Sequence, residues 1–169
     1  MNSSDEREFT EFVATRGQAL LRVAYALTGE QHAAEDLVQT ALAKAMLRWS
    51  KIRGDAEPYL KKIMFHEHIS WWRRRWRRAE TLVSELPERG VAADLTAEAN
   101  ARLQVRAALD TLPPRQRAVV VLRYLEDLST DQVADILGCS PGTVGSQASR
   151  ALATLRKTID QSETREVLQ

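Results

Sequence analysis

The sequence has one cysteine, Cys139, so no internal disulfide framework can hold it together. Its three histidines, at 32, 66 and 68, come without clustered thiols, and no metal site is expected. No apolar run approaches the roughly 18–20 residues of a membrane span. The start, Met-Asn-Ser-Ser-Asp-Glu, lacks the basic-then-apolar layout of a secretion signal. A reducing cytoplasm is the expected setting, with no membrane insertion. Phosphate-binding glycine loops and nucleophile–base pairs are missing too, so the expectation is no catalytic residue, no cofactor and no enzyme. Alternating strand patterns, internal repeats and low-complexity tracts are also lacking.

What is present is a folded helical composition. With 169 residues, 44% hydrophobic and 28% charged, the chain can hold one domain or two small ones. The net charge of +1 hides a strong asymmetry. Residues 59–78 carry seven basic side chains and one acidic, whereas residues 79–100 carry one basic and five acidic. A basic block beside an acidic bridge points to a polyanionic partner and an internal boundary.

Apolar residues recur at three- and four-residue steps throughout. Phe9, Phe12, Val13, Leu20, Val23, Ala24 and Leu27 form one stripe, opened by a Ser3-x-x-Glu6 capping box and closed at Thr28-Gly29. A second helix is predicted from about Gln31 to Trp49, then a loop over 50–56. Pro58 sits in the first turn of a third helix reaching Arg78. These make a three-helix bundle over 1–78. An acidic linker follows over 79–96. Thr96 caps a helix to about Thr111 with Leu103, Ala107 and Leu112 inward. Pro113-Pro114 starts another, from Arg115 to Leu125. Short and long helices follow, from Ser129 or Thr130 to Leu137 and from Pro141 onward. The fold class is all-α: two small helical domains, 1–78 and 97–160, with a tail over 161–169.

Two clusters carry chemistry. Counting Thr130 as position one, Ala134 falls at five, Gly138 at nine and Val144 at fifteen. That is the spacing of a helix-turn-helix, with Ser140-Pro141 as cap and first helical residue of the second helix. This second helix bears no acid from Pro141 to Ile159, but does bear Arg150, Arg156 and Lys157. A plain helical hairpin would need neither feature. Thr143, Ser146, Gln147, Ser149 and Arg150 are candidates for the exposed DNA-reading face, Gln147 suiting adenine and Arg150 phosphate or guanine. Gly145 costs about 1 kcal/mol against alanine within a helix.

The other cluster is Trp71-Trp72-Arg73-Arg74-Arg75-Trp76-Arg77-Arg78. Its arginines suit a nucleic-acid backbone, and its tryptophans are expected to serve the bundle core rather than stack on bases. His66 and His68 are expected to be exposed polar neighbours on the same helix, and Cys139 a small apolar filler.

Ala34-Glu-Asp-Leu-Val-Gln-Thr-Ala-Leu42, Arg53-Gly-Asp-Ala56 with Tyr59-Leu-Lys-Lys-Ile63, Leu112-Pro-Pro-Arg-Gln-Arg117 and Ser149-Arg-Ala-Leu152 together give the chain a wider likeness. Over about residues 5–160 it resembles an extracytoplasmic-function sigma factor of the sigma-70 superfamily, an initiation subunit of bacterial RNA polymerase. The resemblance implies that Glu35, Asp36, Gln39 and Leu42 meet the β′ clamp helices of the polymerase core. It implies that Lys51, Arg53, Asp55 and Ala56 capture a base flipped from the −10 element. Lys61, Lys62, His66, Arg73, Arg74 and Arg77 would then follow the upstream −10 duplex of promoter DNA. The helix at 141–157 would read the −35 element while the other surface of that unit meets the β flap. A separate anti-sigma factor is a possible partner. The sequence departs from the family pattern at His66, where asparagine is frequent, and at Gly145, where a basic residue is common. The alternative is a helix-turn-helix regulator that binds DNA without polymerase, which leaves the Arg53-Gly-Asp loop and the helix around Glu35 without a role.

Overall fold

The computed structural model describes residues 2–79 and 96–167, with side chains described up to 75 and from 96 to 161. Most of the expected acidic linker lies outside the described residues, as do the side chain of Arg77 and the side chains beyond 161; the backbone of the expected tail continues α7 to Val167. The described chain forms α1 (Ser3–Thr28), α2 (Gln31–Met46), α3 (Glu57–Ala79), α4 (Ala97–Asp110), α5 (Pro114–Val120), α6 (Thr130–Leu137) and α7 (Pro141–Val167). No helix among the described residues is long and apolar enough to cross a membrane.

Helix α1 begins one residue before the expected box. The Asn2 amide oxygen accepts from Ser4 and Asp5 N–H, while Asp5 accepts from Asn2 N–H. Asparagine caps as well as serine, and Asn2–Asp5 offers the same spacing as Ser3–Glu6. Gly29 ends the helix at φ 73°, a left-handed conformation open to glycine. Helix α2 stops at Met46 rather than Trp49. A tight turn over Trp49–Lys51 instead swings the Trp49 indole into the bundle, where Phe9 and Phe12 meet it edge-on at 5.1 and 5.3 Å. Leu20 and Leu27 of α1 and Leu60, Met64 and Phe65 of α3 are fully buried around it. Each such side chain contributes about 1.5–3 kcal/mol by leaving water.

In the second unit Thr96 caps α4 as expected, but the buried face is Ala108, Leu109 and the following Leu112. Leu103 is 44% exposed and Ala107 is also on the surface, because α4 enters the core by its last turn alone. The helix expected over 115–125 is present in two parts. Beyond Val120 it widens, and Glu126 N–H reaches back five residues to Val121 O at 3.0 Å.

The two units are pressed together. Helix α3 packs on α5 and α6, α1 packs on α5, and one apolar core runs from Leu20 through Phe65 to Val133 and Val144. Two arginines and a lysine stitch the seam. Arg117, 5% exposed, donates to Leu27 O (2.7 Å) and Leu109 O (2.8 Å) and pairs with Asp110 (3.2 Å). Arg106 donates to Gly29 O with its guanidinium over the Tyr25 ring, and Lys61 pairs with Glu57 and Glu126.

Candidate nucleic-acid interface

The helix-turn-helix is built from its caps inward. Ser129 and Gln132 cap α6 reciprocally, at 3.1 and 2.8 Å. Gly138 leaves α6 in the left-handed region, at φ 65°. Ser140 Oγ then accepts the Thr143 N–H at 3.1 Å, opening α7 at Pro141. Ala134 lets the helices approach, and Val144 fills the space beneath α7. With that side of α7 buried, Thr143, Ser146 and Arg150 fall on an outward stripe about 60° wide at 100° per residue. Ser146 and Ser149 are exposed, as is Arg150, while Gln147 is half-buried. The Ser146 hydroxyl donates to Gly142 O at 3.0 Å, leaving its lone pairs outward. A Cβ at Gly145 would meet nothing within 4 Å, so internal packing does not require glycine there.

On α3 the proposed contacts separate by direction. Lys62, His66 and Arg73 share one exposed stripe. Arg74 turns toward α2 and lines a cleft of about 290 Å³ with Asp36, Thr40, Glu67, His68 and Trp71. Lys61 faces the other way and is held by Glu57 and Glu126. Trp71 and Trp72 are not core residues. Trp71 is 44% exposed and packs edge-on with Trp72 at 5.4 Å. Arg75 lies 5.1 and 5.8 Å from their ring centres. Five arginines in this run favour a solvent-facing segment, and cation–π contact shelters the indoles there.

In the loop before α3, Lys51, Arg53 and Asp55 are exposed, and Asp55 accepts the Glu57 N–H at 3.0 Å. Ala56 is buried at 7% exposure, so its side chain packs inward rather than facing a base. On α2, Glu35, Asp36 and Gln39 are exposed. Leu42, expected among the polymerase contacts, is also 7% exposed: it sits at the edge of the apolar stripe and folds into the core. An apolar groove of about 520 Å³ went unread in the sequence. Val105, Ala108, Leu125, Leu155 and Ile159 line it, from α4, the end of the widened turn and α7. Ala101, Val105 and Ala108 recur at helical spacing and were its signal.

His68, expected on the surface, is 2% exposed and edge-on to Trp72. Burial, with the Arg117 charge as a smaller cause, lowers its pKa to about 4. Asp36, Glu67 and Arg74 border the same cleft. Above pH 6.5 the imidazole is neutral in folded and unfolded chains alike, and the shift has no effect. Between 6.5 and 4 the unfolded chain takes up a proton that the folded chain refuses, so stability falls with pH by about 3 kcal/mol in all. Urea midpoints of wild type and His68→Gln between pH 7 and 4.5 should therefore diverge, the variant losing less. Parallel curves would rule His68 out as the source.

These elements define a helical protein that combines a helix-turn-helix with an arginine-rich helix. Residues 12–78 match the family model for sigma-70 region 2, and residues 102–155 match that for sigma-70 region 4. The RNA polymerase sigma-E factor of Streptomyces coelicolor is 42% identical over 154 residues, covering 90% of this chain and 86% of that one. That of Streptomyces avermitilis is 40% identical, covering 92% and 87%. The sigma factor RpoE of Bartonella quintana, solved with the anti-sigma factor NepR, shares the fold. Its TM-score is 0.70 at 24% identity, covering 91% of this chain and 98% of that one. The chain belongs to the extracytoplasmic-function group of sigma-70 factors, the proteins that direct RNA polymerase.

Proposed function

We propose that this sigma factor divides promoter recognition between its units and performs no chemistry of its own. In this reading α7 enters the major groove of the −35 element through Thr143, Ser146, Gln147, Ser149 and Arg150. Lys51, Arg53 and Asp55 hold a base extruded from the −10 element. Lys62, His66 and Arg73 follow the duplex upstream, with Lys61, Arg74 and Arg77 completing the set. Extruding a base costs a few kcal/mol, which the loop and the arginine helix offset together, so recognition and melting share one site. Glu35, Asp36 and Gln39 face the β′ clamp helices, and the apolar groove between α4 and α7 receives the β flap. An anti-sigma factor is a further partner, as RpoE of Bartonella quintana has been solved with one.

The observation that carries the reading is the exposed, acid-free face of α7 in the same chain as the exposed cationic stripe of α3. Run-off transcription with core polymerase on a library of promoter fragments tests it. Transcripts that begin only when the protein is added are expected, and their aligned start regions give both elements. Duplex binding without polymerase and without transcripts would establish the independent regulator instead.

A further inference from the structure

The loop over 51–56 is anchored at its entry and at its exit, and both anchors are on α1. At the entry the Trp49 indole meets Phe9 and Phe12 edge-on at 5.1 and 5.3 Å. Ile52 N–H donates back to Trp49 O at 3.0 Å, closing the tight turn ahead of Arg53. At the exit the Glu57 carboxylate, its side chain 16% exposed, pairs with Arg16 Nη1 at 3.3 Å and Lys61 Nζ at 2.8 Å. The Glu57 N–H donates to Asp55 Oδ1 at 3.0 Å, so the same residue orients the last exposed side chain of the loop. Arg16 follows Phe12 by four residues, about 6 Å along α1. Between the anchors Gly54 turns the chain at φ 75°, and Ala56 is buried. An ion pair whose arginine is half-exposed adds little to stability, so what Arg16 fixes is direction.

We infer that α1 holds this loop in its working shape before DNA arrives, with Arg16 and Glu57 as positioning residues that act through Asp55 and the start of α3. The inference rests on the reading of Lys51, Arg53 and Asp55 as the residues that hold the extruded base. A loop that ordered itself around that base would add its own ordering cost to the cost of unstacking, and a loop already ordered does not. With Gly54 turned and Ala56 buried, the freedom left to the loop is a swing about its ends. Arg16 removes that freedom at the exit, as Phe9 and Phe12 remove it at the entry. Losing the brace should therefore slow opening and leave the first, closed complex with duplex DNA as it was.

The test compares Arg16→Gln, Arg16→Lys and Glu57→Gln, each assembled with core polymerase on a promoter that the unmodified protein opens. A second set of templates lacks one −10 base of the non-template strand at a time. Permanganate reactivity reads the rate of opening, and DNA binding in the cold reads the closed complex. Arg16→Gln should open about fivefold more slowly, the factor expected for the ordering of one side chain. Its closed complex and thermal midpoint should be unchanged. Arg16→Lys should keep most of the rate, and the Arg16→Gln, Glu57→Gln double variant should open no more slowly than Glu57→Gln alone, because the two residues act as a pair. With the unmodified protein, opening should fall sharply when one particular base is missing, and Arg16→Gln should lose less there, having already forfeited part of the capture. Opening at the unmodified rate by Arg16→Gln overturns the inference. So does slower opening that still pays the full penalty at the missing base, since the arginine then acts somewhere other than the loop. If no missing base slows the unmodified protein, the base-capture reading falls and this inference falls with it.

Discussion

Replacing Arg73, Arg74 and Arg77 by alanine should lower promoter opening about 100-fold while leaving affinity for core polymerase within about twofold. The expected size follows from the job given to the helix: it offsets the few kcal/mol needed to unstack a base, and 1.4 kcal/mol is a factor of ten. The salt dependence should flatten with it, because each lost phosphate contact removes about 0.9 from the slope of log K against log salt. Single substitutions should rank by direction. Arg73 lies on the exposed stripe with Lys62 and His66, whereas Arg74 turns into the cleft beside Asp36. Arg73→Ala should therefore affect opening more than Arg74→Ala. Permanganate footprinting of the melted strand, together with a polymerase binding assay, separates the outcomes. Collapse of polymerase binding would mean that these arginines serve the clamp and not the DNA.

Arg117→Ala should be the most destabilising single change, by about 3–5 kcal/mol. Its guanidinium serves three acceptors on two units, Leu27 O, Leu109 O and Asp110, from a buried position. Removing it takes the side-chain donor from both carbonyls, of which Leu109 O keeps the Leu112 N–H, and withdraws a buried cation from Asp110. At about 2–4 °C per kcal/mol for a chain of this size, thermal unfolding should fall by about 10 °C. Arg117→Lys should not restore it, since an ammonium cannot present the planar fork that reaches all three acceptors. A loss below about 1 kcal/mol by calorimetry would show the network to be incidental.

Local chemistry was legible where a few neighbouring residues decide the outcome. Ser129-x-x-Gln132, Gly138 and Ser140-Pro141 specify caps and a turn by their own hydrogen bonds, and α6 and α7 begin where these residues place them. Legibility failed where a side chain had two plausible surroundings. Trp49 left its predicted helix because Phe9 and Phe12 offered an aromatic pocket some forty residues earlier in the chain. The resemblance placed Leu42 and Ala56 among the contact residues, yet Leu42 follows buried Ala41 and each borders the core stripe closely enough to be drawn in. His68 sits two residues from exposed His66, and helical rotation alone sends one outward and the other into the seam.

By itself the sequence determined the helices, the helix-turn-helix and the cationic helix, because capping, apolar period and charge act within a few residues of chain. Only the tertiary structure decided how the two units meet, which cations remain exposed and which are tied. Arg106, Arg117 and Lys61 look like any other basic residues on helices until α1 presents its bare carbonyl end and Glu126 arrives from the far side of the seam. Those partners lie 65 to 90 residues away in sequence, and packing alone brings them into reach.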